Sequence, residues 1–177
     1  GFDYEIPLRI HQACWVATTV VNSRKDAILI ELGTGKGFVM SSVLTYLNES
    51  KVNYKHVYLF DTFKPYSLND NGEQSHFSAK NVYYADDLEI VKNNFAKFKN
   101  VDLIDGQLPN SLIQFEIPYV DFLHVDLNNS KVERLCLEIL WDKIRPGGYV
   151  LIDDYAYSAY TDTYFMVNDF FDGIAPI

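Results

Sequence analysis

The sequence predicts a doubly wound α/β fold on a mostly parallel sheet, and three observations carry that prediction. Short continuous apolar runs alternate with stretches whose apolar residues recur at helical spacing, as strands joined by crossover helices do. A glycine-rich turn, Gly33-Thr34-Gly35-Lys36-Gly37, directly follows the first such run. Acidic residues stand at the ends of later runs, at Asp61, Asp126 and Asp153-Asp154, and open sheets of this class gather their ligands at the carboxyl ends of their strands.

Taken in order, Arg9 to Val21 carries Ile10, Cys14, Ala17 and Val21 at helical spacing and reads as a covering helix. Ala27-Ile28-Leu29-Ile30 is short enough for a buried strand, and helical spacing resumes from Phe38 to Leu47. His56 to Phe60 reads as a second strand ending at Asp61, and the polar stretch from Ser67 to Lys80 as a long loop of the kind that often forms a lid. Leu88, Val91, Phe95 and Phe98 mark a helix, Val101 to Ile104 a strand, and Pro109 to Phe115 a short helix or turn. A strand at Tyr119 to Val125, a helix at Lys131 to Ile144, a stop at Arg145-Pro146-Gly147-Gly148 and a fifth strand at Tyr149 to Ile152 complete the alternation. A last helical stretch runs from Thr161 to Phe171, and an extended segment is expected to begin at Gly173.

Composition narrows the class. At 177 residues the chain is sized for one domain over residues 1–177, and folding at this length hides roughly 70% of the surface of the unfolded chain. Hydrophobic residues at 48% and aromatics at 15% exclude a disordered chain, and no apolar run approaches the roughly 20 residues of a membrane span. A formal net charge of -9 disfavours nucleic acid, whose binders displace counterions with basic faces. Cys14 and Cys136 lack partners at metal-ligand spacing, so reduced thiols and a cytoplasmic setting are expected.

A strand running into a glycine turn and then a helix brings backbone N–H groups and a helix N-terminus to one place. Dinucleotide-binding enzymes use G-x-G-x-x-G there, but the third glycine position is Phe38, and the spacing is instead E-x-G-x-G-x-G from Glu31. This pattern resembles motif I of class I S-adenosylmethionine-dependent methyltransferases. The resemblance assigns Glu31, Gly33, Thr34, Gly35 and Gly37 to the methionine side of that cofactor. It assigns Asp61 to the ribose hydroxyls, which a carboxylate can accept as a pair, and Asp105, Gly106 and Gln107 to the adenine side.

In a doubly wound order the first, fourth and fifth strands are neighbours, so Asp126, Asp153 and Asp154 should converge. Three carboxylates repel one another unless protons or a hard divalent cation intervene. The segments Phe122 to Asn128 and Pro146 to Tyr155 resemble macrocin-type sugar O-methyltransferases, which are similar to catechol O-methyltransferase in holding magnesium on such residues. This resemblance covers about residues 27–171. It implies that Asp126, Asp153 and Asp154 are metal ligands, that Asp126 is a general base or metal-held orienter, and that a sugar or related small-molecule hydroxyl is the acceptor.

The catechol enzymes carry a lysine three residues after the strand-four aspartate, where this chain has Asn129, so a lysine base does not transfer. His124, on the same strand face as Asp126, is either a second catalytic candidate or an ordinary buried, hydrogen-bonded histidine. Asp153 and Asp154 can share one metal only if the strand has ended; otherwise one of them caps the following turn. Tyr155, Tyr157, Tyr160 and Tyr164 either stack on an acceptor or pack the last helix against the sheet.

Macrocin-type relatives continue into a final strand pair, so an incomplete C-terminal pair and an open sheet edge at strand five are expected. By analogy with the family a homo-oligomer is expected as well. A nicotinamide-dependent oxidoreductase and a non-catalytic cofactor-binding relative remain the alternatives.

Overall fold

The computed structural model describes residues 5–64, 87–172 and 174. The elements are α1 (Glu5–Ser23), β1 (Ile28–Leu32), α2 (Phe38–Glu49), β2 (His56–Asp61), α3 (Leu88–Phe95), β3 (Val101–Asp105), α4 (Asn110–Gln114), β4 (Val120–Val125), α5 (Ser130–Leu140), β5 (Ile144–Ile152) and α6 (Thr161–Phe171). The five strands pair in the order β3-β2-β1-β4-β5, every pair parallel. The expected doubly wound sheet is therefore present, and β5 forms its edge among the described residues. The expected loop at residues 67–80 and most of the segment from Gly173 lie outside them.

The side-chain alternation of the strands sorts the core into two layers. Leu29, Leu59 and Phe122 point to one face, where α1, α2 and α3 add Ala13, Val16, Val20, Val43, Leu47 and Phe95. Ile30, Leu32, Phe60, Leu123 and Val125 point to the other, covered by α4, α5 and α6 through Leu112, Cys136, Leu137, Leu140 and Met166. All residues of β1 and β4 are buried, as central strands covered on both faces must be. Each Leu, Ile or Phe so buried favours folding by about 1.5–3 kcal/mol over exposure.

The largest departures from the sequence reading lie before and within β5; the other element ends move by a few residues. The helix expected to run to Ile144 ends at Leu140, followed by a short 3-10 turn at Trp141–Lys143. Ile144 is already in the sheet, paired with Val120. The stretch 145–148, read as a stop before the strand, is an irregular part of β5: the register passes from Val120↔Ile144 to Phe122↔Tyr149. Arg145 explains this placement, since its guanidinium is held by the fully buried Asp121 of β4 at 2.7 and 2.8 Å. Asp121 also accepts from Arg24 at 2.7 Å and from the Ile28 backbone N–H at 2.9 Å, which ties together the starts of β1, β4 and β5.

Candidate functional site

The turn after β1 has the backbone its glycines permit. Gly33, Gly35 and Gly37 have φ of 86, 54 and 82°, a region that penalises any residue with a Cβ. At Gly33 a Cβ would lie 1.8 Å from the Asp126 carbonyl oxygen, and at Gly37 it would lie 2.2 Å from the Phe95 ring. The first contact joins the glycine turn to the strand-four carboxylate through backbone alone.

Asp61 ends β2 beside this turn, and its Oδ2 accepts the Gly35 N–H at 2.7 Å while Oδ1 accepts the Phe63 N–H at 3.0 Å. The Gly106 N–H donates to the Asp61 carbonyl oxygen at 3.0 Å. Gly35, Asp61 and Gly106 thus form one connected rim, with Asp105 and Gln107 exposed on either side of Gly106. A carboxylate has about four acceptor positions, and the Gly35 N–H, the Phe63 N–H and the Thr62 hydroxyl take three, so Asp61 retains capacity for a ligand hydroxyl.

Glu31 points from β1 toward β4, where its register partner is His124. Glu31 Oε1 and His124 Nδ1 are 3.0 Å apart, and both residues are 2% exposed. Burial pushes the Glu31 carboxyl up, opposed by the His124 hydrogen bond and charge. Burial pulls the His124 pKa down, but the Glu31 hydrogen bond and charge outweigh it and leave the ring above its ordinary value. Glu31 Oε2 and the Thr34 hydroxyl are buried near one another, and among the described residues neither has a hydrogen-bond partner beyond the other. His124 is thus buried and hydrogen-bonded.

The backbone also gathers the carboxylates: the Asp126 N–H donates to Leu32 O and the Asp153 N–H to Val125 O, each at 2.9 Å. One carboxylate oxygen from each of Asp126, Asp153 and Asp154 lies within 4.8 Å of the others. The alternation problem at Asp153-Asp154 does not arise, because β5 ends at Ile152 and Asp154 has φ 58°, which breaks the strand. Burial, then the Asp153 charge, push the Asp126 carboxyl well above the usual carboxylate range.

Sequence reasoning missed Arg9. Its guanidinium bonds Asp153 and lies 3.9 Å from Asp126, so α1 supplies a cation to the cluster. Its place on the buried side of α1 could be read, four residues before Ala13 and seven before Val16, but its partner could not. Asn129, at the position of the catechol enzymes' lysine, caps α5 by accepting the Val132 N–H at 3.3 Å.

Tyr155, Tyr157 and Tyr164 lie on the exposed side of the segment that follows β5. Tyr155 packs on Tyr164 with centroids 5.4 Å apart, while Tyr157 and Tyr164 line a groove of about 270 Å³ with Ala156, Ser158, Thr161 and Phe165. A larger groove of about 640 Å³ lies along α1 and α2 and includes none of the candidate site residues. No helix among the described residues is long and apolar enough to cross a membrane.

The family model for macrocin-O-methyltransferase matches residues 8–172. No curated protein sequence matches the chain. Among solved structures, the O-methyltransferase NovP superposes with a TM-score of 0.77 at 21% identity, covering 95% of this chain and 74% of its own. The calicheamicin methyltransferase CalS11 gives 0.70 at 13%, covering 98% and 75%, and its apo structure is described as that of a TDP-rhamnose 3'-O-methyltransferase. TomG from Streptomyces achromogenes, an O-methyltransferase of tomaymycin synthesis solved with S-adenosylmethionine, gives 0.60 at 12%, covering 93% and 69%. At these identities the structures establish the shared fold.

Proposed function

From the premise that this chain belongs to the macrocin-O-methyltransferase family, we propose that it is a magnesium-assisted enzyme methylating a hydroxyl of a sugar or related small metabolite. It is an S-adenosylmethionine-dependent O-methyltransferase; metal, acceptor and residue roles are the proposal. The observation that carries the proposal is the contact of Gly33 with the Asp126 backbone, because it joins the cofactor turn to the carboxylate cluster.

The residues fit the cofactor. The turn leaves no room for a Cβ at Gly33, Asp61 keeps acceptor capacity at the rim, and the buried Glu31 Oε2 has no partner beyond the nearby Thr34 hydroxyl. They also fit magnesium, since three carboxylates with oxygens within 4.8 Å of one another form the all-oxygen donor set that hard divalent cations prefer.

S-adenosylmethionine supplies an electrophilic methyl group, and magnesium bound to the acceptor oxygen would lower the pKa of a poorly nucleophilic alcohol. The chain's own task is alignment. Asp61 and Gly106 hold the nucleoside end, and the turn from Glu31 to Gly37 holds the amino-acid end. Asp126 orients the acceptor hydroxyl and receives its proton, with Asp153 and Asp154 completing the metal site. Tyr157 and Tyr164 offer aromatic faces on which a sugar could stack. The description of CalS11 as a TDP-rhamnose 3'-O-methyltransferase supports a sugar-type acceptor.

Isothermal titration with S-adenosylmethionine, with and without magnesium, tests the reading. Binding tightened or activity enabled by magnesium is expected. Absence of binding in both conditions overturns the cofactor assignment, and activity indifferent to a chelator removes the metal. Asp126→Asn should lower kcat by about a hundredfold or more with cofactor affinity nearly unchanged; unchanged turnover would argue against its role.

A further inference from the structure

We infer that His124 is a positioning residue for the amino-acid end of the cofactor, acting through Glu31, and not a group that handles the acceptor's proton. The inference rests on the cofactor reading above and concerns a side chain that the chemistry there leaves without a task.

The geometry argues against proton transfer at His124. The residue is 2% exposed and lies side by side with Glu31 across the β1–β4 pairing, beneath the turn. A carboxylate can only accept, so Nδ1 carries the proton of the 3.0 Å bond to Glu31 Oε1. The bond leaves Nε2 as the basic nitrogen of the ring, so it is the 2% exposure of His124, and not the bond, that keeps an acceptor alcohol at Asp126 from using it.

The same bond fixes Glu31. With Oε1 anchored by His124, the carboxylate cannot rotate freely, and Oε2 is held in a buried position where only the Thr34 hydroxyl, three residues on at the same turn, is near enough to donate. A buried carboxylate oxygen so thinly satisfied beside a glycine turn marks a place for a further donor. The group is a carboxylate, so the donor that fits best is cationic, and the α-ammonium of the cofactor brings three N–H groups. An ordered water is the competing occupant.

The experiment compares two ligands that differ only at that end. S-adenosylhomocysteine carries the amino-acid portion and methylthioadenosine lacks it, and calorimetry would measure both with the wild type, His124→Phe, His124→Asn and Glu31→Gln. His124→Phe should weaken S-adenosylhomocysteine about tenfold and leave methylthioadenosine within about twofold. His124→Asn, which keeps a donor, should recover part of the loss. With Glu31 already Gln, adding His124→Phe should cost little more, because residues acting through one another are not additive. Kinetically, KM for S-adenosylmethionine should rise while kcat at saturation stays close to wild type.

Equal weakening of both ligands overturns the inference in favour of a structural role. Losses that simply add in the double variant overturn it as well, as does a hundredfold fall in kcat with unchanged affinity. If His124→Phe does not fold, as judged by circular dichroism, the Glu31→Gln and His124→Asn comparisons decide the matter by the same ratio of affinities. A wild type that binds methylthioadenosine no worse than S-adenosylhomocysteine sinks this inference alone, whereas a wild type that binds neither sinks the cofactor reading with it.

Discussion

Gly33 and Arg9 act on the site in opposite ways, one by lacking a side chain and the other by having a long one. Gly33→Ala would place a methyl group 1.8 Å from the Asp126 carbonyl oxygen at φ +86°, so either the turn or β4 must shift. A loss of about 1–3 kcal/mol in urea denaturation is expected, together with a large fall in S-adenosylmethionine affinity by calorimetry; wild-type values for both would refute the close approach. Arg9 places its guanidinium on Asp153, the carboxylate a magnesium ion would also use. Arg9→Met should therefore raise magnesium affinity about two- to fivefold in a direct titration, and an unchanged or weaker affinity would mean that Arg9 and metal do not compete. Gly33 was legible because a glycine at fixed spacing after a strand has few reasons to be there. Arg9 was not, because one arginine in a helix says nothing about its partner until the helix is placed over the sheet.

At the scale of elements, the strands were legible wherever burial alone decided them. β1 and β4 are buried at every residue because they are covered on both faces, with Glu31, Asp121 and His124 as their polar members, and β2 and β3 differ from expectation only by one residue at their ends. The misplacement lay at the start of β5, where the outcome was decided by tertiary bonds. Arg145-Pro146-Gly147-Gly148 has the composition of a stop, yet Asp121 holds Arg145 against β4 and brings Ile144 into register. No local pattern gives this, since Arg24 is 97 residues from Asp121 and Arg145 is 24. Asp121→Ala would take away the shared acceptor of two guanidinium groups and the Ile28 N–H, leaving Arg145 only Asp26 and Arg24 only the Pro146 carbonyl oxygen. Denaturation should register a loss of about 2–4 kcal/mol, with the affinity of folded protein for cofactor unchanged; a loss below about 0.5 kcal/mol would show the cluster to be incidental.

Across the whole molecule the carboxylates at the two ends of the sheet serve different purposes. At the carboxyl ends Asp126, Asp153 and Asp154 are drawn together with Arg9 as their cation, a strained arrangement suited to a ligand. At the amino ends Asp26 and Asp121 are matched by Arg24 and Arg145, and Arg145 also stacks on Tyr119 at 3.8 Å, an arrangement suited to holding strands together. The pH dependence of stability should reveal the second group. Hydrogen bonds from Arg145 and Tyr119 lower the Asp26 pKa from 3.8 to about 2, and Asp121 is also lowered, its burial outweighed by bonds from Arg145, Ile28 and Arg24. A carboxylate lowered in the folded state binds fewer protons there than when unfolded, so its contribution is present above the unfolded value and lost as pH falls through the folded one. The charge of the whole chain cannot mimic this, because the sequence pI is about 4.8 and general self-repulsion grows again on the acid side in wild type and variant alike. Arg145→Met should lower Tm throughout, but the gap to wild type should close as pH falls from about 4 toward about 2. Scanning calorimetry across that range checks it, and a gap that stays constant would mean that Arg145 stabilises the sheet through packing on Tyr119 and not through its carboxylates.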